Sequence, residues 1–570
     1  MKKAGRLSGG QQVDLLLKSA RVLDVFSGQF YDGAIAVSDG LIVGFGAASA
    51  REMRDLGGAW IVPGLIDAHV HIESSQLSPG EFARAVVPHG TTAVIADPHE
   101  IANVLGLDGI RYMLRASECL PLHVYLMAPS CVPSSPFETT GATLGVEEIA
   151  ELLSWERVLG LGEVMNYPGV VNGDPDITAK IETSFGRAID GHAPGLSGPG
   201  LWAYAAAGPR TDHECTTIDE AREKLRAGLK ILIREGTTAR NLDALLPLLE
   251  ERTAPFVHFC TDDRDPETLL HEGSIDDLVR RAIAGGVPAE LAIAAATIHP
   301  ARTYGLADLG AIAPGYRADF LILSDLARLE IREVYAGGVC VATDGVSSFE
   351  VPEVSDERVR GTMRIDLAKL SFRLPAEGKS FRCVRVIGVR EGQVVTSASE
   401  ARLSCVGDEV MADPEQDLLK LAVVDRHTAS GAVGIGFVTG FGLARGAIAS
   451  SVAHDAHNVI VAGASDEEMR VAVEELCRIG GGQVVVDGEE VVARLSLPRA
   501  GLMTTEALAE TASAARRLTE AARELGCSLQ TPFAALSFLA LPVIPHLKLT
   551  DRGLVDVDQF SMVSPFSDEA

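Results

Sequence analysis

The chain has 570 residues, 47% of them hydrophobic, with 57 glycines, 78 acidic against 50 basic side chains and a formal charge of -28. That length predicts several domains with ample cores, and so negative a chain repels nucleic-acid phosphates, which excludes a nucleic-acid partner in favour of a small-molecule substrate. Nine cysteines, odd in number and without a Cys-x-x-Cys pair, predict reduced thiols in a cytoplasmic protein; separately, the apolar stretches, broken by glycine and proline, predict no membrane association.

The start is basic, but the apolar segment after it is short and soon broken by Lys18, Arg21 and Asp24, unlike a signal peptide. Residues 13–47 alternate short β-type runs with turn signals at Ser27-Gly28 and Asp39-Gly40, which predicts a small β domain over residues 1–60. The next apolar strand ends in Val62-Pro63-Gly64-Leu65-Ile66-Asp67-Ala68-His69-Val70-His71-Ile72-Glu73. Side chains alternate faces along a strand, so His69 and His71 point the same way and can grip one metal ion. The run from Pro63 to His71 resembles the first barrel strand of the amidohydrolase superfamily, metal-dependent hydrolases built on a (β/α)8 TIM-like barrel.

From residue 61 to about residue 310, strand-like apolar runs alternate with helix-like segments, the pattern of a parallel α/β barrel. Eight candidate strands end at His71, Asp97, Ala128, Glu163, His192, His213, Ile233 and Asp262. Chemistry in such barrels sits at the C-terminal ends of the strands. His69 and His71 on strand one, Glu163 on four, His192 on five, His213 on six and Asp262 on eight satisfy the superfamily pattern in order. Singly, each has a plain alternative: a solvated glutamate, hydrogen-bonded loop histidines, an aspartate capping a helix. Jointly those alternatives require six coincidences. The resemblance implies that His69, His71 and Asp262 hold one ion and His192 and His213 the other. Glu163 lies between them, where many two-metal relatives place a carboxylated lysine. Ligation by imidazole and carboxylate without thiolate suits two divalent ions, Mn²⁺ or Fe²⁺ first and Zn²⁺ as an alternative. A bound ion lowers the pKa of water to about 7, giving a hydroxide at neutral pH. Asp262 is then placed to take its proton and pass it to a leaving nitrogen.

After the barrel, β-type runs return at 314–323 and 334–339. The resemblance implies that this flank, residues 311–349, pairs with residues 1–60 into one small β-sandwich in which the barrel is inserted. Residues 350–570 change character to a C-terminal mixed α/β domain, with a strand at 422–425 and an alanine-rich amphipathic helix over 506–525. Two uncharged stretches, 428–444 and 531–545, read as buried core, because glycines stud the first and Pro532, Pro542 and Pro545 interrupt the second.

Three segments narrow the family. The run 90–106, containing Asp97-Pro98-His99-Glu100, the run Ile231-Leu232-Ile233-Arg234-Glu235-Gly236-Thr237, and the C-terminal motifs Asp425-Arg426-His427-Thr428 and His454-Asp455-Ala456-His457-Asn458 resemble the bacterial adenine deaminases of this superfamily. The likeness spans about residues 13–565. It implies hydrolysis of adenine to hypoxanthine and ammonia by a metal-bound hydroxide, a place in purine salvage, and a homodimer or larger assembly. Asp262 and Glu163, with His99 and Glu235, are the candidate catalytic residues. Asp97, Glu100 and Arg234 are candidates for substrate contact or for support of the ligands, with equal weight. His454 and His457 belong either to a buried hydrogen-bond network or to a lid over the barrel mouth. The competing readings are a related amidohydrolase that opens a cyclic amide or cleaves an N-acyl C–N bond, and a catalytically silent scaffold member.

Overall fold

The computed structural model describes residues 12–47, 49–352 and 354–567. The basic N-terminal start lies outside them. The two flanks of the barrel share one nine-stranded sheet, joined where Trp60–Pro63 runs antiparallel to Phe320–Asp325. Its hydrophobic core takes Leu17, Val22, Ile35 and Ile61 from the first flank and Phe320, Ile322 and Tyr335 from the second. The apolar run 334–339, expected as one strand, is instead the tip of a hairpin between Glu330–Ala336 and Val339–Thr343. Gly337 and Gly338 take φ of +55° and +78° there, a conformation that side chains with a Cβ resist.

Eight parallel strands follow in the expected order: Leu65–Val70, Thr91–Ala96, His123–Ala128, Val158–Val164, Ala188–Gly191, Thr211–Asp212, Lys230–Arg234 and Val257–Cys260. They form an arc of five and an arc of three. At one seam Arg210 N–H donates to the Ile189 carbonyl (2.9 Å). At the other, Val70 bridges Asp262 in parallel, with Asp262 N–H donating to His69 O and His71 N–H to Asp262 O, both at 3.0 Å. The bonds that close the barrel therefore also lock the backbones of three candidate ligands together. Ile66, Ala68, Ala93, Ile95, Met127, Leu232 and Cys260 fill the interior, so this is a packed core with its polar residues at one mouth.

The C-terminal region builds a second nine-stranded sheet, with Leu419–Val424 and Val433–Thr439 among its inner strands. Helices Asp466–Ile479 and Leu508–Glu524 flank it. The second helix matches the expected 506–525 closely. The uncharged stretches are core here: Val433–Thr439 pairs on both edges, and Phe533, Leu536 and Leu539 pack in the cluster beneath that sheet. No described helix is long and apolar enough to cross a membrane. The barrel core runs on into Ala500, Leu502 and Met503, so the C-terminal region packs directly against the barrel.

Candidate active site

The six candidate ligands converge at the barrel mouth. His69 Nε2 and His71 Nε2 are 3.2 Å apart. Glu163 Oε1 lies 3.6 and 3.2 Å from them, and Asp262 Oδ1 lies 3.5 and 3.2 Å from them. The other oxygen of Glu163 faces a second group, with His192 Nδ1 at 2.6 Å and His213 Nε2 at 3.4 Å. All six are buried except His192, whose side chain keeps 21% exposure.

These residues fit a pair of divalent cations. Bonds of about 2.0–2.2 Å from ligand to ion place neighbouring ligand atoms roughly 3–3.5 Å apart, close to the spacing seen except between His192 and Glu163, which are in hydrogen-bond contact at 2.6 Å. The tautomer also fits. His71 Nδ1 lies 2.9 Å from the Asp97 carbonyl oxygen, which can only accept, so Nδ1 carries a proton and, in the neutral ring, Nε2 is the nitrogen left to ligate. Glu163, with one oxygen toward each group, is positioned by its backbone. Its N–H donates to Asp97 Oδ2 at 2.9 Å. A Cβ at Gly162 would come within 2.2 Å of that carboxylate oxygen, so only glycine admits the contact.

Strand seven supplies charge. Arg234 Nη1 is 2.9 Å from Asp262 Oδ2, and the guanidinium also grips Glu214 on both oxygens. Burial opposes ionisation of Asp262, yet Arg234 with His69 and His71 holds its carboxyl well below the usual range. Glu163 is likewise held low against burial, by hydrogen bonds with His192, His213 and His71. Glu214 escaped the sequence reading although it follows His213. Its Oε1 lies 3.3 Å from His213 Nε2 and 3.6 Å from His192 Nδ1. The unanswered charge of Arg234 on the next strand was the one available signal for it.

Strand two and the helix after it carry Asp97, His99 and Glu100 to the same mouth. His99 Nδ1 is 3.5 Å from Glu163 Oε1 and 3.7 Å from Asp97 Oδ1, while its Nε2 is 3.4 Å from Glu100 Oε1. Glu100 meets the C-terminal domain: Oε1 is 2.8 Å from His454 Nδ1, and Oε2 contacts His457 Nε2. His457 is buried, accepts the Ala453 N–H on Nδ1, and is followed by Asn458, whose amide donates to Thr139 O of a barrel loop. The His-Asp-Ala-His-Asn motif thus forms a buried network, and the network spans the seam over the mouth. Glu235 is not brought to the cluster. Its carboxylate turns to Arg281 Nη1 (2.5 Å) and the Leu242 N–H (3.0 Å), where it anchors helices outside the barrel.

A cavity of about 390 Å³ lies between the mouth and the C-terminal domain, lined among others by Ser74, Thr237, Asp263, His454, Arg516 and Phe538. Asp263, a second residue the sequence reading passed over, connects it to the centre. One of its carboxylate oxygens lies within 4.8 Å of ligand atoms of His71 and Asp262.

A parallel barrel whose mouth gathers these residues around one shared glutamate defines a metal-dependent hydrolase, and residues 60–341 match the model of the amidohydrolase family. Residues 393–561 match the adenine deaminase C-terminal domain. The adenine deaminase of Methanothrix thermoacetophila is 50% identical over 98% of both chains. That of Desulfatibacillum aliphaticivorans is 46% identical, and adenine deaminase 2 of Carboxydothermus hydrogenoformans 48%, each over 97% of both chains. The chain belongs to the adenine deaminase family.

Proposed function

We propose that this mouth deaminates adenine hydrolytically, giving hypoxanthine and ammonia. His69, His71 and Asp262 would hold one divalent cation and His192 and His213 the other, with Glu163 between. The observation that carries the reading is the division of Glu163's two oxygens between the two groups of ligands, in a chain similar to adenine deaminases along nearly its whole length. When bound, the cations supply activation of water at neutral pH, and imidazole with carboxylate favours Mn²⁺ or Fe²⁺ in that role.

The chain's own residues divide the remaining work. Asp262, ionised under the pull of Arg234, takes a proton from the water that adds to C6 and returns it to the departing amino nitrogen. The C–N bond breaks, ammonia leaves, and the water oxygen stays on the ring as the carbonyl, its second proton restoring the group that protonated the ring nitrogen. His99, 3.4 Å from Glu100 and 3.5 Å from Glu163, is the group assigned to protonate a ring nitrogen as charge builds there. Asp97 and Glu100 orient the ligands and His99 rather than touch the reacting atoms. The free thiols of all nine cysteines support a reducing, cytoplasmic setting.

The test is direct. Protein loaded with Mn²⁺ or Fe²⁺ is expected to release hypoxanthine and ammonia from adenine in equal amounts and to retain two ions per chain. Failure to release ammonia above background with any divalent metal overturns the reading.

A further inference from the structure

The C-terminal domain reaches the cavity at one histidine. His454 lies between strands Ala447–Ser450 and Val459–Gly463. It lines the cavity and keeps 12% of its side chain exposed, whereas its neighbours Asp455 and His457 are closed off. The ring is held on an edge and on a face. Glu100 of the barrel sits 2.8 Å from Nδ1, and Phe538 stacks with centroids 4.6 Å apart and planes at 22°.

That clamp leaves one polar atom without a task. Nε2 has no partner among the described residues and is not among the buried unsatisfied atoms, so it opens to the cavity. Burial disfavours a charge on this ring, but Glu100, with Asp263 and Asp455 beyond it, pushes its pKa up to about 9. Nε2 is therefore an N–H donor at neutral pH. The same cavity is lined by the Asp263 carboxylate, which accepts from Ser74 Oγ, and by the hydroxyl of Thr237. A free purine base offers the matching edges, ring nitrogens that accept and N–H groups that donate. A donor fixed at a ring nitrogen also stabilises the negative charge that builds on the ring when water adds to C6.

We propose that His454 is a specificity-determining residue whose Nε2–H donates to a ring nitrogen of the purine in this cavity, so that the pocket is complete only with the C-terminal domain. The proposal rests on the adenine reading above. Binding of adenine, read as KM where it turns over and calorimetrically where it does not, and of analogues with one ring nitrogen at a time replaced by C–H is measured for the metal-loaded enzyme and for H454F and H454Q. Melting temperature and metal content are read alongside.

The enzyme as it stands is expected to bind one analogue about tenfold or more weakly than adenine, the loss of one hydrogen bond from a charged donor. H454F is expected to lose about the same factor for adenine and to treat that analogue and adenine alike, with KM rising more than kcat falls. H454Q should recover part of the discrimination through its side-chain amide, and it carries the comparison should H454F fail to fold. Equal binding of every analogue by the unaltered enzyme overturns the proposal. So does discrimination that persists in both variants with only the melting temperature lowered. If adenine binds with the expected discrimination but releases no ammonia, the deamination reading fails while the role of His454 stands.

Discussion

Asp262 shows how much one position can be asked to do. Its φ of +57° is a left-handed conformation that a non-glycine residue adopts at a cost, and the two seam hydrogen bonds to strand one hold it there. One carboxylate oxygen then faces His69 and His71 while the other is held by Arg234. Asp262→Asn keeps an oxygen for coordination but removes the proton carrier. Its kcat is expected to fall by a factor of about 100 or more, the usual contribution of general acid–base catalysis, with metal content unchanged. Glu163→Gln should do the opposite: a neutral amide bridges two cations poorly, so the second ion is lost on dialysis. Near-native turnover in the first variant, or full metal content in the second, refutes the corresponding role.

At the scale of elements, the helix Ile218–Arg226 after strand six positions the second group of ligands from behind. It opens with Thr217 accepting the Glu220 N–H, and it delivers a fully buried lysine to the barrel. Lys224 Nζ donates to the Ala193 carbonyl at 2.6 Å and to Asp212 Oδ2 at 2.9 Å. Asp212 Oδ1 accepts the Ala193 N–H at 2.9 Å. The residue after His192 and the residue before His213 are thereby tied to one ammonium. Lys224→Met leaves Asp212 as an uncompensated buried charge, which is expected to cost about 3–5 kcal/mol of stability. It should also loosen metal retention at His192 and His213 before that at His69 and His71. A variant with a lowered melting temperature but unchanged titration of both ions would show that Lys224 serves the fold alone. Strand positions and the helix Leu508–Glu524 were readable from apolar periodicity, because burial of one face imposes the period directly. The hairpin at Gly337-Gly338 interrupts that period without changing its apolar character, so a run of apolar residues concealed a turn.

At the scale of the molecule, the barrel and the C-terminal domain are joined by buried polar contacts: Glu100 with His454 and His457, Thr139 with Asn458, and Arg499 with Tyr112. Glu138 sits in this seam. Its Oε1 accepts from Ser134 at 2.9 Å and Ser135 at 3.1 Å, and burial, with Asp455 and Asp551 nearby, pushes its pKa up to about 8 from an ordinary 4.5. Between those values the folded chain holds a proton that the unfolded chain releases, so stability falls as pH rises through the window. Glu138→Gln reproduces the neutral acid and can keep both serine contacts. Its melting temperature is expected to match the unaltered chain near pH 5 and to exceed it by several degrees at pH 8, as read by calorimetric scans. A difference that does not change with pH would mean that Glu138 is ionised in the fold.

The sequence by itself determined the eight-stranded barrel, its flanking β elements, and the six residues that meet at its mouth. The strands follow a local rule, the patterning of apolar residues along the chain, whereas the six mouth residues were singled out by their likeness to the amidohydrolase pattern. Only the tertiary structure decided which way the long polar side chains turn and whom they meet. Glu235 turns out to Arg281, Arg234 finds Glu214, and Glu100 meets His457 across a separation of 357 residues. Such pairings leave no periodic trace in the chain, because they arise where separately folded layers are pressed together and each buried charge must find a partner.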